Sequence, residues 1–331
     1  PWIVNVATIA PGARGQLRTA IGADIARTEG VSTLGRWSKS HVAVNGSYFH
    51  SGRRTAPGDM VGVAVNGGTI ISQPQRVAGH VGVIMDSATK ALTIGPMTWG
   101  ATLTSDTGEL RPDAVNTPLV NPAGCDTAGA PCTVRGQVVR FTPHYAAATP
   151  SGVGAEIVYD RQGCVVRTSR TRGTRLTAAQ TSFQATGTLA EELLRVGGQG
   201  CPTYREALYG ADRQRIPLTR TSFGVTGRYQ LVSGGQIVAP AHTSAFFQRH
   251  PRTIIGRRAD GTVLLVTVDG RSTTSVGVTL TEAARLARSL GLVDAANLDG
   301  GGSTAMAVRG RLVNTPPGGE RSVADAVVFM P

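Results

Sequence analysis

Lysine is almost absent from this chain, and aromatic residues are few. The 331 residues include 33 basic side chains, of which only Lys39 and Lys90 are lysines, and aromatic residues make up 5% of the total. No apolar run approaches the roughly 20 residues that a membrane-spanning helix needs, so no transmembrane segment is predicted. Few aromatics beside 43 glycines and 18 prolines predict short strands and many turns rather than long helices.

Several well-known binding motifs are also missing. The glycine-rich segment near the C-terminus lacks the Gly-Lys-Ser/Thr ending of a phosphate-binding P-loop. The four cysteines form no Cys-x-x-Cys pair and have no histidine at ligand spacing, which argues against a zinc site. No helix-turn-helix, RNA-binding or zinc-finger pattern accompanies the scattered arginines, so nucleic acid is not expected as a partner. No cofactor is predicted, and a divalent cation at the acidic strand ends is left open as an alternative.

The formal net charge is +12. An arginine-rich, lysine-poor balance is typical of a GC-rich coding sequence, which is one explanation of this charge. The other explanation is attraction to a polyanion, because a basic surface concentrates acidic substrates. Both explanations stay open, and the second predicts an anionic, phosphate-rich glycopolymer as the partner.

The cysteines are Cys125, Cys132, Cys164 and Cys201. Four cysteines allow three pairings, of which we favour Cys125 with Cys132 and Cys164 with Cys201, because a local loop is the easiest to close. Disulfides predict an oxidising compartment. The sequence begins with Pro1 rather than Met, from which we expect the mature or trimmed form of an exported protein.

Three segments have helical patterns. Thr279 and Glu282 form a capping box before apolar residues at helical spacing, and Gly291 stands at the C′ position, so a helix is predicted between them. Shorter helices are predicted near Ile21–Glu29 and at Leu189–Arg195. Most of the remaining apolar runs predict strands separated by glycine and asparagine turns.

The most informative segment is residues 297–304, with the sequence Asn-Leu-Asp-Gly-Gly-Gly-Ser-Thr. It places the carboxylate of Asp299 at the end of an apolar stretch, directly before three glycines. Glycines free the backbone from Cβ limits, so successive N–H groups can turn toward an anion. The apolar residues on both sides predict a strand, a glycine turn and a second strand. An ordinary turn capped by the aspartate is the alternative interpretation.

Four further apolar strands end or begin in polar residues. Val42–Val44 leads into Asn45 and Tyr48, Arg252 opens a second run, Val263–Val268 stops at Asp269, and Glu320 with Arg321 opens the last strand. Each motif alone is more often a turn than a site. Arg321 and Asp325 are predicted to form a structural ion pair, because they lie four residues apart at a strand start.

Taken together and in this order, these motifs resemble the phosphodiester glycosidase family. The resemblance is strongest over about residues 215–331 and around Asn45. It implies an α/β (α+β) fold with a large mixed β-sheet core, few helices and catalytic loops at strand ends. It also implies one domain over residues 1–331, with 121–215 as a variable inserted subregion and 216–331 as the best-matching catalytic core.

The implied reaction is release of a sugar from a sugar phosphodiester. An oxocarbenium-like transition state needs a carboxylate near the anomeric carbon, and a departing phosphate needs positive charge or N–H donors. The carboxylate candidates are Asp299 and Asp269, with Glu320 in reserve. Arg252 is the first candidate for the phosphate, because a planar guanidinium can bind two oxygens at once. The candidates for substrate and phosphate binding are Asn45, Tyr48, Arg252, Thr253, Arg271, Gly300, Gly301, Gly302, Ser303, Thr304 and Arg321.

These expectations define one hypothesis and two rivals. The hypothesis is a secreted, wall-associated hydrolase that removes a sugar such as N-acetylglucosamine from a phosphodiester of an extracellular glycopolymer. One rival is a non-catalytic module that binds an anionic polymer. The other is a glycoside hydrolase of the same fold that cleaves a non-phosphorylated bond, which would need Glu320 or a histidine as general acid.

Overall fold

The structure is a computed structural model that describes residues 1–50, 59–75, 77–127 and 132–331. Over these ranges it contains three α-helices, α1 (Val31–Trp37), α2 (Leu189–Gly197) and α3 (Leu280–Ser289). Two single-turn 3-10 helices cover Ala245–Phe247 and Gly301–Ser303. None of the helices in the described ranges is long and apolar enough to cross a bilayer.

Strands make up most of the remaining regular structure. In the first third they are β1 (Val4–Ile9), β2 (Gln16–Ile21), β3 (Glu29–Gly30), β4 (Val42–Asn45), β5 (Ala64–Asn66), β6 (Thr69–Ser72), β7 (His80–Asp86), β8 (Leu92–Gly95), β9 (Thr98–Ser105), β10 (Gly108–Leu110) and β11 (Ala114–Val115). In the middle they are β12 (Arg135–Phe141), β13 (Gly152–Tyr159), β14 (Val165–Arg172), β15 (Thr181–Gly187), β16 (Thr203–Tyr209) and β17 (Arg215–Ile216). In the last third they are β18 (Ser222–Arg228), β19 (Gln230–Ser233), β20 (Gln236–Ile237), β21 (Arg252–Arg258), β22 (Val263–Val268), β23 (Leu292–Asn297), β24 (Met306–Val308), β25 (Arg311–Leu312), β26 (Ser322–Val323) and β27 (Asp325–Met330).

The described strands form six sheets. The first sheet has the order β1-β22-β21-β23-β19-β20, the second β2-β27-β4-β24-β25 and the third β6-β5-β18-β7-β8. The fourth is β11-β12-β15-β13-β14, the fifth β10-β9-β16-β17, and β26 pairs with β3 in the sixth. The expectation of a sheet-rich fold with few helices is confirmed in this form. The strands divide among several sheets rather than forming one large sheet, and β11 with β12 is the one parallel pair in the described ranges.

The central core lies between the first three sheets. Val44, Val83, Val225, Leu265 and Val327 come from all three of them and are fully buried in one cluster. Asn45 at the end of β4 pairs with Ala326, and Asn297 at the end of β23 pairs with Ile254. The ends of strands from the first and second sheets therefore meet at one edge of this core.

The capping box predicts α3 correctly. The hydroxyl of Thr279 accepts from Glu282 N at 3.1 Å, and the Glu282 carboxylate accepts from Thr279 N at 2.9 Å. Gly291 follows the helix with φ of +82°, a conformation that favours glycine. The predicted helix at Leu189–Arg195 is also confirmed as α2, which packs its apolar face onto the fourth sheet.

The helix predicted near Ile21–Glu29 is wrong. Residues 22–28 form bends and turns, and the helix of this region begins at Val31. Two backbone groups explain the difference, because Ile25 N donates to His144 O at 2.8 Å and Ala26 N donates to Tyr145 O at 3.1 Å. Hydrogen bonds to a distant segment thus replace the intrahelical ones.

The favoured disulfide pairing is confirmed, with bonds between Cys125 and Cys132 and between Cys164 and Cys201.

We expect the Cys164→Ala, Cys201→Ala double variant to lose about 2–4 kcal/mol of unfolding free energy, because the bond restricts the unfolded chain. Urea unfolding measures this loss. The Cys125–Cys132 bond closes a much shorter loop, so its removal is the control and should cause a smaller loss of unfolding free energy. An unchanged midpoint for the first variant would contradict the prediction.

Candidate functional site

Asp299 lies just after β23, where the first and second sheets meet. Its backbone N–H donates to Gly46 O at 3.0 Å, and its backbone carbonyl accepts from Asn45 Nδ2 at 2.6 Å. Its half-buried carboxylate accepts from Gly300 N at 2.9 Å and from the Ser303 hydroxyl. Both the backbone and the side chain of this aspartate are therefore fixed in position.

The side chains of Asn45 and Thr253 are completely buried beneath Asp299. Thr253 Oγ1 donates to Asn45 Oδ1 at 2.6 Å, and Ala305 N donates to the same oxygen at 3.1 Å. Because these polar groups are all used within the protein, Asn45 and Thr253 position the Asp299 backbone and are not exposed to a ligand.

Tyr48 is the aromatic side chain next to Asp299. Its hydroxyl donates to Leu298 O at 3.0 Å and accepts from Asn297 Nδ2 at 3.0 Å. Burial raises the pKa of Tyr48 far above its ordinary value, and the charge of Asp299 raises it further. The phenol is therefore neutral, and its ring stands half-buried 6.5 Å from that of Phe246.

Arg252 begins β21 and is 2% exposed. Its Nη2 donates to Phe246 O at 2.6 Å and to Gln248 O at 3.0 Å, while its Nε donates to Val278 O at 3.3 Å. Burial lowers the pKa of Arg252 from its ordinary value. These acceptors orient the guanidinium without neutralising its charge.

Three arginines stand beside the three glycines. A Cβ atom added at Gly300 would lie 3.9 Å from Arg252 Cδ, one at Gly301 would lie 3.2 Å from Arg271 Nη2, and one at Gly302 would lie 3.8 Å from Arg321 Cδ. The Gly301 backbone also has φ of +60°, which favours glycine. Glycine at these positions keeps open the space between the arginines and Asp299.

A fourth cation, Arg228 at the end of β18, joins this group. Its guanidinium lies 4.6 Å from the centre of the Phe246 ring, and that of Arg252 lies 5.1 Å from the same ring. We call Arg228, Arg252, Arg271 and Arg321 the arginine cluster. In the part of the chain that the structure describes, none of the four lies within 4 Å of a carboxylate oxygen. The site thus has a high density of uncompensated positive charge.

The N–H groups of the glycine run mostly have acceptors within the protein. Gly300 N donates to Asp299, Gly301 N to Pro251 O at 2.9 Å, Ser303 N to Gly300 O at 3.1 Å and Thr304 N to Gly301 O at 3.3 Å. Among the described residues, the N–H of Gly302 is the one in this run without such an acceptor. The buried hydroxyl of Thr304 also has no partner there.

The other two carboxylate candidates hold structural contacts. Asp269 is 4% exposed and accepts from Asn314 Nδ2 at 2.9 Å and from Thr315 N at 3.2 Å. Glu320 accepts from Ser32 N at 2.7 Å and from Ser32 Oγ at 2.6 Å, which caps the first turn of α1. Both carboxylates bind residues that are distant in the sequence, so the spacing within their own motifs did not indicate these partners.

Sequence analysis did not single out Arg228, and it gave Asp325 only the role of an ion-pair partner for Arg321. Asp325 is buried and accepts from Ser47 N at 2.6 Å and Ser47 Oγ at 2.8 Å, so the predicted ion pair with Arg321 is wrong. The position of Asp325 at the start of the apolar strand β27 could have indicated a buried carboxylate. Arg228 follows a glycine-containing strand of ordinary composition, and no local pattern distinguished it.

Comparison with models of known protein families identifies the family of this chain. The model of the phosphodiester glycosidase family matches residues 128–330. The chain belongs to this family. The match includes Asp299, Asp325 and the whole arginine cluster, while Asn45 and Tyr48 precede it. The family is named for the hydrolysis of glycosyl bonds in phosphodiesters.

Similar proteins agree with this fold. A Burkholderia pseudomallei protein described as exported superposes with a TM-score of 0.79 at 26% identity, covering 100% of this chain and 74% of that one. A hypothetical protein from Synechocystis superposes with a TM-score of 0.76 at 20% identity, covering 100% and 59%. The SPbeta prophage-derived uncharacterized protein YomE of Bacillus subtilis strain 168 is 46% identical over 82 residues. That match covers 24% of this chain and 13% of YomE, so the chain spans a small part of that relative's length.

The half-buried Asp299 and the buried Asp325 both have raised pKa values. Burial raises the pKa of Asp299 to about 6, and burial together with the charge of Asp299 raises the pKa of Asp325 to about 6. A raised folded-state pKa contributes stability that is fully present below the unfolded pKa of about 4 and is lost as pH rises through 6.

We therefore expect the Asp299→Asn variant to lose part of this pH dependence. The difference in unfolding free energy between variant and wild type should grow in favour of the variant as pH rises from 4 to 7. Urea unfolding of both proteins at pH 4, 5, 6 and 7 measures it. A difference that stays constant over this range would show that the Asp299 carboxyl group has no raised pKa.

Proposed function

We propose that this protein releases a sugar from a sugar-1-phosphodiester, with Asp299 acting at the anomeric carbon and the arginine cluster binding the phosphate. One observation carries the proposal. The fixed carboxylate of Asp299 stands beside four arginines that have no carboxylate partner within 4 Å in the described residues. Such an arrangement suits a substrate with an anionic group next to a centre that develops positive charge.

The chemistry follows from these charges. When the bond between the anomeric carbon and the phosphate oxygen breaks, its electron pair goes to the phosphate, whose negative charge the guanidinium groups stabilise. The developing oxocarbenium ion is stabilised by the Asp299 carboxylate. Water then supplies the hydroxyl group of the sugar, and its proton passes to the carboxylate. Because the departing phosphate monoester is a good leaving group, no strong general acid is required.

The remaining residues have supporting roles in this proposal. Asn45 and Thr253 hold the Asp299 backbone, and Ser303 holds its carboxylate. The Gly302 N–H, which has no acceptor among the described residues, would donate to a substrate oxygen, whereas Thr304 is fully buried and is not assigned to the substrate. The half-buried ring of Tyr48 borders the sugar. We do not retain Asp269 or Glu320 as catalytic groups, because Asn314, Thr315 and Ser32 already occupy their oxygens.

We further propose that the enzyme is secreted and acts on a wall or extracellular glycopolymer. The two disulfides and the similarity to a protein described as exported support an oxidising, extracellular location. The net charge of +12 suits an anionic polymer. We also propose a single domain over residues 1–331, in which 121–215 is an inserted subregion.

Sugar release from methyl- and glycerol-linked N-acetylglucosamine-1-phosphate and from UDP-N-acetylglucosamine tests the reaction. The wild type should release the sugar from at least one of them. Asp294→Asn is the matched control for Asp299→Asn, because Asp294 lies on β23 and pairs with Arg257 at 2.6 Å. The control should keep its activity. No turnover by the folded wild type on phosphodiesters of several sugars would favour a binding module instead.

A further inference from the structure

A cavity of about 830 Å³ lies between the fourth and fifth sheets. Its walls include Arg140 of β12 with Thr142 just after that strand, Thr181 and Phe183 of β15, and Thr203 and Tyr204 of β16. None of its lining residues belongs to the site around Asp299. Its size falls within the range of about 300–1,000 Å³ that is usual for small-molecule sites. The cavity is therefore large enough to be a second site.

The charged side chain in the deep part of the wall, Arg140, is compensated by an ion pair, whereas Asp160 and the exposed Arg161 lie at the rim. Arg140 Nη1 lies 3.0 Å from Glu206 Oε1, and Glu206 Oε2 accepts from the hydroxyl of Tyr204 at 2.8 Å. Asp160 at the rim accepts from two backbone N–H groups, of Gln162 and Cys164, each at 2.9 Å. Because the deep part of the cavity has no net charge, an anion gains little there, in contrast to the site around Asp299.

Two polar side chains in the wall have unused donors. His144 Nε2 lies 3.0 Å from the Nδ2 donor of Asn66, so Nε2 accepts and Nδ1 carries the hydrogen. In the described residues neither His144 Nδ1 nor Arg140 Nε, both buried, has a hydrogen-bond partner. Both residues line the cavity, and an acceptor such as a hydroxyl or amide oxygen is the group that each donor lacks.

The other walls combine aromatic rings with hydroxyl and amide groups. The Phe183 ring packs edge-on against Tyr204 with centroids 5.2 Å apart, and Thr142, Thr181 and Gln180 add donors and acceptors. Apolar rings beside many uncharged polar groups suit sugar rings, which have both a C–H face and hydroxyl groups. The Cys164–Cys201 bond fixes one rim, since Cys201 itself lines the cavity.

We propose that this cavity is a second carbohydrate site that binds a neutral mono- or disaccharide unit. The site holds a neutral part of a glycan and is separate from the centre at Asp299. Its ligand chemistry follows from the paired charges and does not depend on the proposed function. Binding at the cavity can therefore hold or fail whatever the reaction at Asp299 is.

Saturation-transfer NMR with the whole chain tests this site. The probes are N-acetylglucosamine, N,N′-diacetylchitobiose, cellobiose and maltose, with inorganic phosphate as competitor. Two variants place a bulky ring at the exposed rim, Ala179→Trp and Gln162→Trp, so that one remains if the other fails to fold. Ala88→Trp, in an exposed turn between β7 and β8, is the matched control. Circular dichroism checks the fold of each variant.

We expect at least one probe to bind the wild type and the Ala88→Trp and Asp299→Asn variants alike. Binding should weaken at least about tenfold in the rim variants, and phosphate should not displace the sugar. Absence of binding by all four probes would overturn the proposal. So would displacement by phosphate, or binding that is lost in Asp299→Asn but kept in both rim variants.

Discussion

The Asp299→Asn variant is expected to lose at least about 10³-fold in sugar release and to become more stable. The loss follows because an amide cannot stabilise an oxocarbenium ion or accept a proton as the carboxylate does. Stability increases because burial raises the pKa of Asp299 to about 6, so that its ionised form destabilises the folded state at neutral pH. We expect about 1–2 kcal/mol of added unfolding free energy at pH 7.

Two measurements check this result together. Sugar release from N-acetylglucosamine-1-phosphodiesters gives the rate, and urea unfolding at pH 7 gives the stability. Asp294→Asn should change neither by a comparable amount, since Asp294 forms a partly exposed ion pair with Arg257. A variant that is inactive because it is unfolded would contradict the account, and so would an Asp299→Asn enzyme with normal turnover.

The Arg252→Lys variant is expected to lose about 10²–10³-fold in kcat/KM for a phosphodiester substrate. Lysine keeps the positive charge but lacks the planar guanidinium, whose Nη1 is left to face a phosphate while Nε and Nη2 donate to protein carbonyls. It also cannot reproduce the bonds to Phe246, Gln248 and Val278 that orient the guanidinium. The loss should be much smaller for an aryl glycoside of the same sugar, whose leaving group is not a phosphate.

Arg258→Lys is the matched control for this substitution. Arg258 lies on the same strand, and its Nε likewise donates to a backbone carbonyl, Leu290 O at 2.9 Å. It belongs to the opposite end of β21 from the arginine cluster, so its replacement should leave kcat/KM within about twofold. Equal losses for the phosphodiester and the aryl glycoside in Arg252→Lys would show that Arg252 serves the fold rather than the phosphate.

Local patterns predicted the parts of the fold that local contacts determine. The capping box at Thr279, the strand that ends at Asn45, the strand that ends at Val268 and both disulfides are found as predicted. The capping box, the two strands and the Cys125–Cys132 bond depend on residues close in sequence or on a short apolar run, and the Cys164–Cys201 bond joins cysteines 37 residues apart. Asp299 was predicted in the same way, because it follows the apolar run of β23 and directly precedes three glycines.

The remaining features depend on contacts between distant segments. Glu320 caps a helix through Ser32, which lies 288 residues away, and Asp325 accepts from Ser47 across 278 residues. The turn that replaced the predicted helix before α1 is held by carbonyls of His144 and Tyr145. Spacing within a motif contains no information about such partners, so the roles of these side chains emerged only from the three-dimensional arrangement.

The central claim is that the enzyme breaks the bond between the anomeric carbon and the phosphate oxygen. Hydrolysis of methyl N-acetylglucosamine-1-phosphate in ¹⁸O-labelled water, followed by mass spectrometry of both products, tests it most directly. The account predicts the label in the released sugar and unlabelled methyl phosphate. Label in the phosphate product instead would show attack at phosphorus, and would contradict the assignment of Asp299 to the sugar and of the arginine cluster to the leaving group.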